Sequence, residues 1–136
     1  DASVRGEILK LLLGLRDDFG IAMLVVTHDL GLAWTIADRV AVMYLGRIVE
    51  VAPSRDLYTS PRHPYTEALL SAVPIPDPTV ARKRIVLEGD VPSPINPPGG
   101  CHFHPRCARA QALCKTEAPL LRELAPGHVA ACHFPN

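Results

Sequence analysis

The sequence of 136 residues lacks a charge excess, a long apolar run and a secretion leader. Its 14 basic and 14 acidic side chains give a formal net charge of +0, so no broad surface for nucleic acid or acidic lipid is expected. The longest uncharged apolar run, residues 21–26, is far shorter than the roughly 18 to 20 residues of a membrane-spanning helix. No basic stretch with an apolar segment and cleavage site opens the chain, which predicts a cytosolic protein or a piece of one.

Proline and cysteine are missing from the first part of the chain. All 14 prolines lie from Pro53 onward, and all four cysteines lie from Cys101 onward. Because proline fixes φ and removes a backbone donor, residues 1–52 can form long regular elements and the remainder is interrupted. The sequence therefore predicts a first module at 1–73, a stiff linker at 74–84 and a small extension at 85–136.

The first module has the pattern of an α/β protein. Apolar side chains at helical spacing predict an amphipathic helix from Val4 to Phe19, which ends at Gly20. The apolar run 21–26 is typical of a parallel strand that is buried on both faces. A short helix at 30–37 and a two-stranded ribbon at 39–51 are predicted to follow.

Three polar residues, Thr27, His28 and Asp29, follow the predicted parallel strand. The carboxyl ends of such strands are where open α/β sheets present groups to ligands, so His28 is a candidate site residue. The alternative is that His28 only caps the next helix or bonds to the backbone.

Several stretches resemble the final third of an ABC transporter nucleotide-binding domain, a P-loop ATPase. They are DASV (1–4), LVVTHDL (24–30) and VMYLGRIVE (42–50). The stretches RDLY (55–58) and SPRHPYT (60–66) narrow the resemblance to the subunits that energise import of oligopeptides and dipeptides. His28 aligns with the family's switch-loop histidine, and Asp1 aligns with the aspartate of its D-loop.

This resemblance implies a catalytic role for His28, which would bond the γ-phosphate and orient the attacking water, and a place at the dimer interface for Asp1. It implies ATP and Mg²⁺ in the full-length subunit, transmembrane permease subunits and a second ATP-binding subunit as partners, and a peripheral location on the cytoplasmic face of the cell membrane. No nucleic acid is expected. The chain contains no phosphate-binding loop of the form GxxxxGK[ST], so we interpret it as a C-terminal portion that is inactive as an ATPase alone.

Four cysteines lie within the extension: Cys101, Cys107, Cys114 and Cys132. Disulfides are disfavoured in a reducing compartment. Structural zinc suits four thiolates, but its sites usually include one close cysteine pair, and this sequence has none. A four-cysteine iron–sulfur cluster tolerates looser spacing. Four unrelated buried thiols are the remaining alternative.

The stretches EGDVPSP (88–94), PPGGCHFHPRC (97–107) and VAACH (129–133) are similar to the C-terminal extension of the same peptide-importer subunits. Some members hold a [4Fe-4S] cluster there, which implies that the four cysteines are its ligands. Zn²⁺ or a site without metal remains an alternative. The competing function is a small metal- or cluster-binding structural module that serves only for docking.

Overall fold

The computed structural model describes residues 2–74 and 84–136, so Asp1 and nearly all of the predicted linker at 74–84 lie outside the described residues. We number the helices and strands along the chain. They are α1 (Ala2–Phe19), α2 (Leu30–Ile36), β1 (Arg39–Tyr44), β2 (Arg47–Pro53), α3 (Ser54–Thr59), α4 (Pro64–Ser71), a 3₁₀ turn (His104–Arg106), α5 (Ala112–Thr116), β3 (Arg122–Ala125) and β4 (His128–Ala130).

The four strands form one antiparallel sheet in the order β1-β2-β4-β3. The β1–β2 ribbon is confirmed, with Val40 opposite Ala52. Strand β4 then pairs with β2, which places Val129 opposite Val51. The helices and this sheet make a mixed α/β architecture, as predicted, and the sheet includes strands from both sides of the predicted linker. The division into modules at 74–84 stays a prediction.

The first helix is confirmed and ends where the sequence indicates. Gly20 follows it with a φ of +62°, a left-handed conformation that glycine adopts at helix ends without a steric penalty. The apolar face of α1 is exposed, and Leu11 and Phe19 show 63% and 72% of their surface to solvent. Among the described residues, no helix is long and apolar enough to cross a bilayer.

The predicted parallel strand at 21–26 is wrong for this structure. These residues form no regular secondary structure, and Leu24 and Val26 are each 92% exposed. A buried strand needs neighbours that bond its backbone and cover both faces. Among the described residues no strand lies beside this segment, because all four strands belong to the antiparallel sheet.

Residues 85–89 form no strand in the structure, although 85–87 are all apolar. The segment is attached instead to the end of α4, where the backbone N–H of Ile85 donates to Ser71 Oγ at 3.0 Å. Leu87 packs against the core while Val86 remains 76% exposed. Residues 85–89 therefore form a loop, and Leu87 packs this loop against the core.

The core lies between the β1–β2 ribbon, α3, α4 and the cysteine-containing loop. Its buried members are Val42, Tyr44, Val49, Ala52, Leu57 and Phe103. Phe103 is 1% exposed, and its ring lies 5.2 Å from that of Tyr44 and 5.3 Å from that of Tyr65. Since aromatic pairs at this separation add to the burial energy, Phe103 fixes the loop onto the sheet.

The carboxylate of Glu50 joins three separate parts of the chain. Its exposure is 0%, and it accepts hydrogen bonds from the backbone N–H groups of Arg62 at 2.6 Å and His63 at 2.9 Å. The ring Nε2 of His128 on β4 lies 2.6 Å from the same carboxylate. A buried carboxylate is tolerated only when its oxygens are hydrogen-bonded, and Glu50 meets this condition with three donors.

We expect the Glu50→Gln substitution to lower the free energy of unfolding by about 2 to 3 kcal/mol, because the amide group leaves a buried donor without an acceptor. Urea denaturation followed by circular dichroism measures this change. The matched control is Glu88→Gln, an exposed carboxylate, which should change stability by less than about 0.5 kcal/mol. Equal denaturation midpoints for the two variants would contradict the role of Glu50.

Candidate switch loop and cysteine cavity

The loop that carries His28 is fixed by its two neighbours. Thr27 Oγ1 accepts a hydrogen bond from the N–H of Asp29 at 3.0 Å. Asp29 caps α2, since its Oδ1 accepts from the N–H of Leu32, also at 3.0 Å. These two bonds join the loop to the first turn of α2 and leave His28 exposed between them. The capping role that we considered for His28 is thus taken by Asp29.

The cysteines come together because the loop around Cys101 folds back on α5. The N–H of Cys101 donates to the carbonyl oxygen of Cys114 at 2.8 Å. Gly100 permits this approach: a Cβ at this position would lie 2.5 Å from the Cys114 oxygen, and its φ is +64°. Only glycine meets both conditions. The 3₁₀ turn then carries the chain to Cys107, whose N–H donates to the carbonyl oxygen of His104.

All four cysteines line one cavity of about 10 Å³, which we call the cysteine cavity. The other residues that line it include His63, Phe103, His133 and Phe134. Burial raises the pKa of Cys101 and of Cys107, and it raises that of Cys132 to about 11. The thiols of Cys101, Cys107 and Cys132 are therefore protonated at neutral pH, and any metal that binds them must displace these protons.

The four thiols share one cavity. Among the residues described, no three His, Cys, Asp or Glu side chains are placed to hold one metal ion. The nearby histidines have other partners: the ring nitrogens of His104 and His133 lie within hydrogen-bond distance of the carbonyl oxygens of Cys101 and Glu117.

The sequence reasoning missed His63 as a wall of the cysteine cavity. His63 is 1% exposed and caps α4, because its Nδ1 accepts the N–H of Tyr65 at 3.1 Å. Burial lowers its pKa to about 4, although the charge of Glu50 opposes part of this shift. The signal was the HPYT stretch itself, in which His63 precedes a proline in the first turn of the helix.

Known proteins match this chain over the same elements. Residues 49–114, from β2 to α5, match the family model of the oligopeptide/dipeptide transporter, C-terminal region. A probable peptide ABC transporter ATP-binding protein of Sinorhizobium fredii is 53% identical over 98% of this chain and 38% of its own length. The oligopeptide transport ATP-binding protein AppF of Bacillus subtilis is 46% identical over 98% of this chain and 41% of its own length.

The backbone of Arg62 and His63, which bonds to Glu50, and the turn from Cys101 to Cys107 both lie within the matched residues. This part of the chain is thus a peptide transporter C-terminal region. The chain belongs to the oligopeptide/dipeptide ABC transporter ATP-binding family, as its C-terminal portion. It spans about 40% of the length of the curated relatives that it matches.

The lowered pKa of His63 predicts a loss of stability in acid. Because the folded state binds fewer protons than the unfolded state between pH 6.5 and 4, stability is complete above about pH 6.5 and falls toward pH 4. The loss reaches about 3 kcal/mol. His63→Asn replaces the capping ring nitrogen with an amide oxygen that does not titrate, so the slope of unfolding free energy against pH should flatten. The unfolding free energy is measured by urea denaturation at pH 7 and pH 4.5. If His63→Asn loses as much stability between these pH values as the parent, groups other than His63 cause the loss.

Proposed function

We propose that this chain is the C-terminal portion of the ATP-binding subunit that drives peptide import by an ABC transporter. The observation that carries the proposal is the alignment of nearly the whole chain with proteins named for peptide transport and ATP binding. The structure contains the loop around His28, which Asp29 joins to α2, and the HPYT loop, whose backbone donates to Glu50. Both stretches resemble peptide-importer subunits, so their presence in one chain agrees with the proposal.

His28 is the catalytic residue in this proposal. Phosphoryl transfer depends mainly on positioning and on stabilisation of charge, so an imidazole that bonds the γ-phosphate and orients water lowers the barrier. The exposed position of His28, in a loop braced by Thr27 and Asp29, leaves its ring available for that contact. ATP and Mg²⁺ would be held mainly by residues of the longer subunit, since this chain contains no phosphate-binding loop.

The remaining assignments follow from the same proposal. Asp1 would lie in the D-loop, at the interface with a second ATP-binding subunit. The partners would be that subunit and the transmembrane permease subunits, and the location would be the cytoplasmic face of the membrane. The exposed apolar face of α1, together with Leu24 and Val26, supports this assignment because the remainder of a longer subunit would cover it.

We also infer that Cys101, Cys107, Cys114 and Cys132 hold a [4Fe-4S] cluster. The supporting observation is that the four thiols line one cavity. A cluster would tie the Cys101 turn to α5 and to the C-terminal tail, which stabilises a segment that is short and rich in proline. Phe103 and Phe134, which also line the cavity, would exclude water from it.

The cluster proposal predicts about four iron and four acid-labile sulfide atoms per chain after anaerobic purification. Replacement of any one cysteine by serine should lower both contents and reduce the visible absorption. His104→Ala is the control, because its ring is directed to a backbone carbonyl, and it should keep the iron. One zinc without sulfide, or an ordered extension without metal, would refute the cluster.

The role of His28 predicts a separation of binding from turnover. In the full-length subunit, His28→Ala should lower kcat by about 10²-fold while the Kd for ATP stays nearly constant, because the contact strengthens in the transition state. Steady-state ATPase assays and nucleotide titration measure the two quantities. The control is Thr35→Ala, an exposed change on α2 whose hydroxyl bonds only within the helix. Equal losses of binding and turnover would make His28 a structural residue.

A further inference from the structure

The switch loop is joined to the C-terminal region through one tyrosine. The hydroxyl of Tyr58, on α3, donates a hydrogen bond to the carbonyl oxygen of Leu30, the first residue of α2. The ring of Tyr58 also packs against Trp34, with centroids 4.8 Å apart and planes tilted by 57°. Two contacts from one side chain therefore hold α2 at both its first turn and its middle.

Tyr58 is itself held by the core. Its neighbour Leu57 is 0% exposed, and α3 follows directly on β2. The N–H of Ser54, at the start of α3, donates to the carbonyl oxygen of Asp38 at 2.9 Å. Because α3 is fixed at its start and through Leu57, the Tyr58 hydroxyl occupies a defined position relative to the sheet.

Helix α2 has little else to fix it. None of its residues is buried, and a helix of 7 residues is too short to be stable alone. The loop of His28 is bonded to the same first turn through Asp29. The position of His28 relative to the core therefore depends on what holds that turn.

We propose that Tyr58 is a positioning residue for His28: its hydroxyl bond to Leu30 and its packing on Trp34 set the place of the switch loop relative to the sheet. This inference rests on the proposed role of His28 in ATP hydrolysis. Tyr58 lies within residues 49–114, the part that matches the peptide transporter family model. This C-terminal region thus contacts α2, the helix that follows the loop of His28. Burial raises the pKa of Tyr58, so its hydroxyl remains a donor at neutral pH.

The test uses Tyr58→Phe in the full-length subunit, because this change removes the hydroxyl and keeps the ring packed on Trp34. We expect kcat to fall about five-fold, which corresponds to one hydrogen bond, with the Kd for ATP unchanged. The matched control is Tyr65→Phe, which removes a hydroxyl on α4 away from α2, and its kcat should match the parent.

A double substitution tests whether Tyr58→Phe lowers kcat through His28. If Tyr58 acts through His28, Tyr58→Phe should cause no further loss of kcat in a His28→Ala background. An equal five-fold loss in both backgrounds would overturn the positioning role and leave the proposed function intact. A normal kcat for Tyr58→Phe beside a strong loss for His28→Ala would do the same. A normal kcat for His28→Ala would refute both the function assigned to His28 and this inference.

Hydrogen exchange tests the contact without reference to activity. Tyr58→Phe should speed amide exchange in a peptide covering residues 27–36, where the N–H groups of Leu32 and Ala33 bond to Asp29. Tyr65→Phe should leave that peptide unchanged. Unaltered exchange in Tyr58→Phe would show that the hydroxyl does not hold the first turn of α2, and would overturn the inference whatever the kinetics.

Discussion

The carboxylate of Glu50 is the constraint on which the described fold depends. A carboxylate with 0% exposure needs several donors, and here they come from the HPYT loop and from β4. One of these donors is distant in the sequence, since His128 lies 78 positions from Glu50. Satisfying one charge therefore brings β2, α4 and the C-terminal strand together, and any arrangement that separates them leaves that charge buried without partners.

The same arrangement creates the cysteine cavity. His63 is fixed by Glu50 on its backbone and by Tyr65 on its ring, and it presents one wall of the cavity. Phe103 closes another wall from the core, 5.6 Å from the His63 ring. Burial of Phe103 against Tyr44 and Tyr65 therefore holds the turn from Cys101 to Cys107 beside the cavity.

Local signals in the sequence predicted the elements whose partners lie nearby. The helix to Phe19, the short helix after Asp29 and the β1–β2 ribbon depend on periodicity and turn residues. The hairpin β3–β4 and its pairing with β2 escaped prediction because a strand of three residues has almost no periodic pattern. The strand at 21–26 failed for the opposite reason, since its pattern is strong but a strand exists only beside another strand. Of the candidate sites, cysteine density was visible in sequence, whereas Glu50 and His63 look like ordinary polar residues until their burial is known.

The loop of His28 has the core on one side and an exposed apolar surface on the other. On one side, α3 connects it to a core that is defined by buried charge and aromatic packing. On the other side, the exposed apolar residues of α1 and of 21–26 form a surface suited to further protein, because so much apolar area is rarely left in water. The relatives are more than twice as long as this chain, so a longer subunit has the mass to cover that surface. In the proposed longer subunit, the loop of His28 would lie between the core and the part that covers this surface, and its position would depend on both.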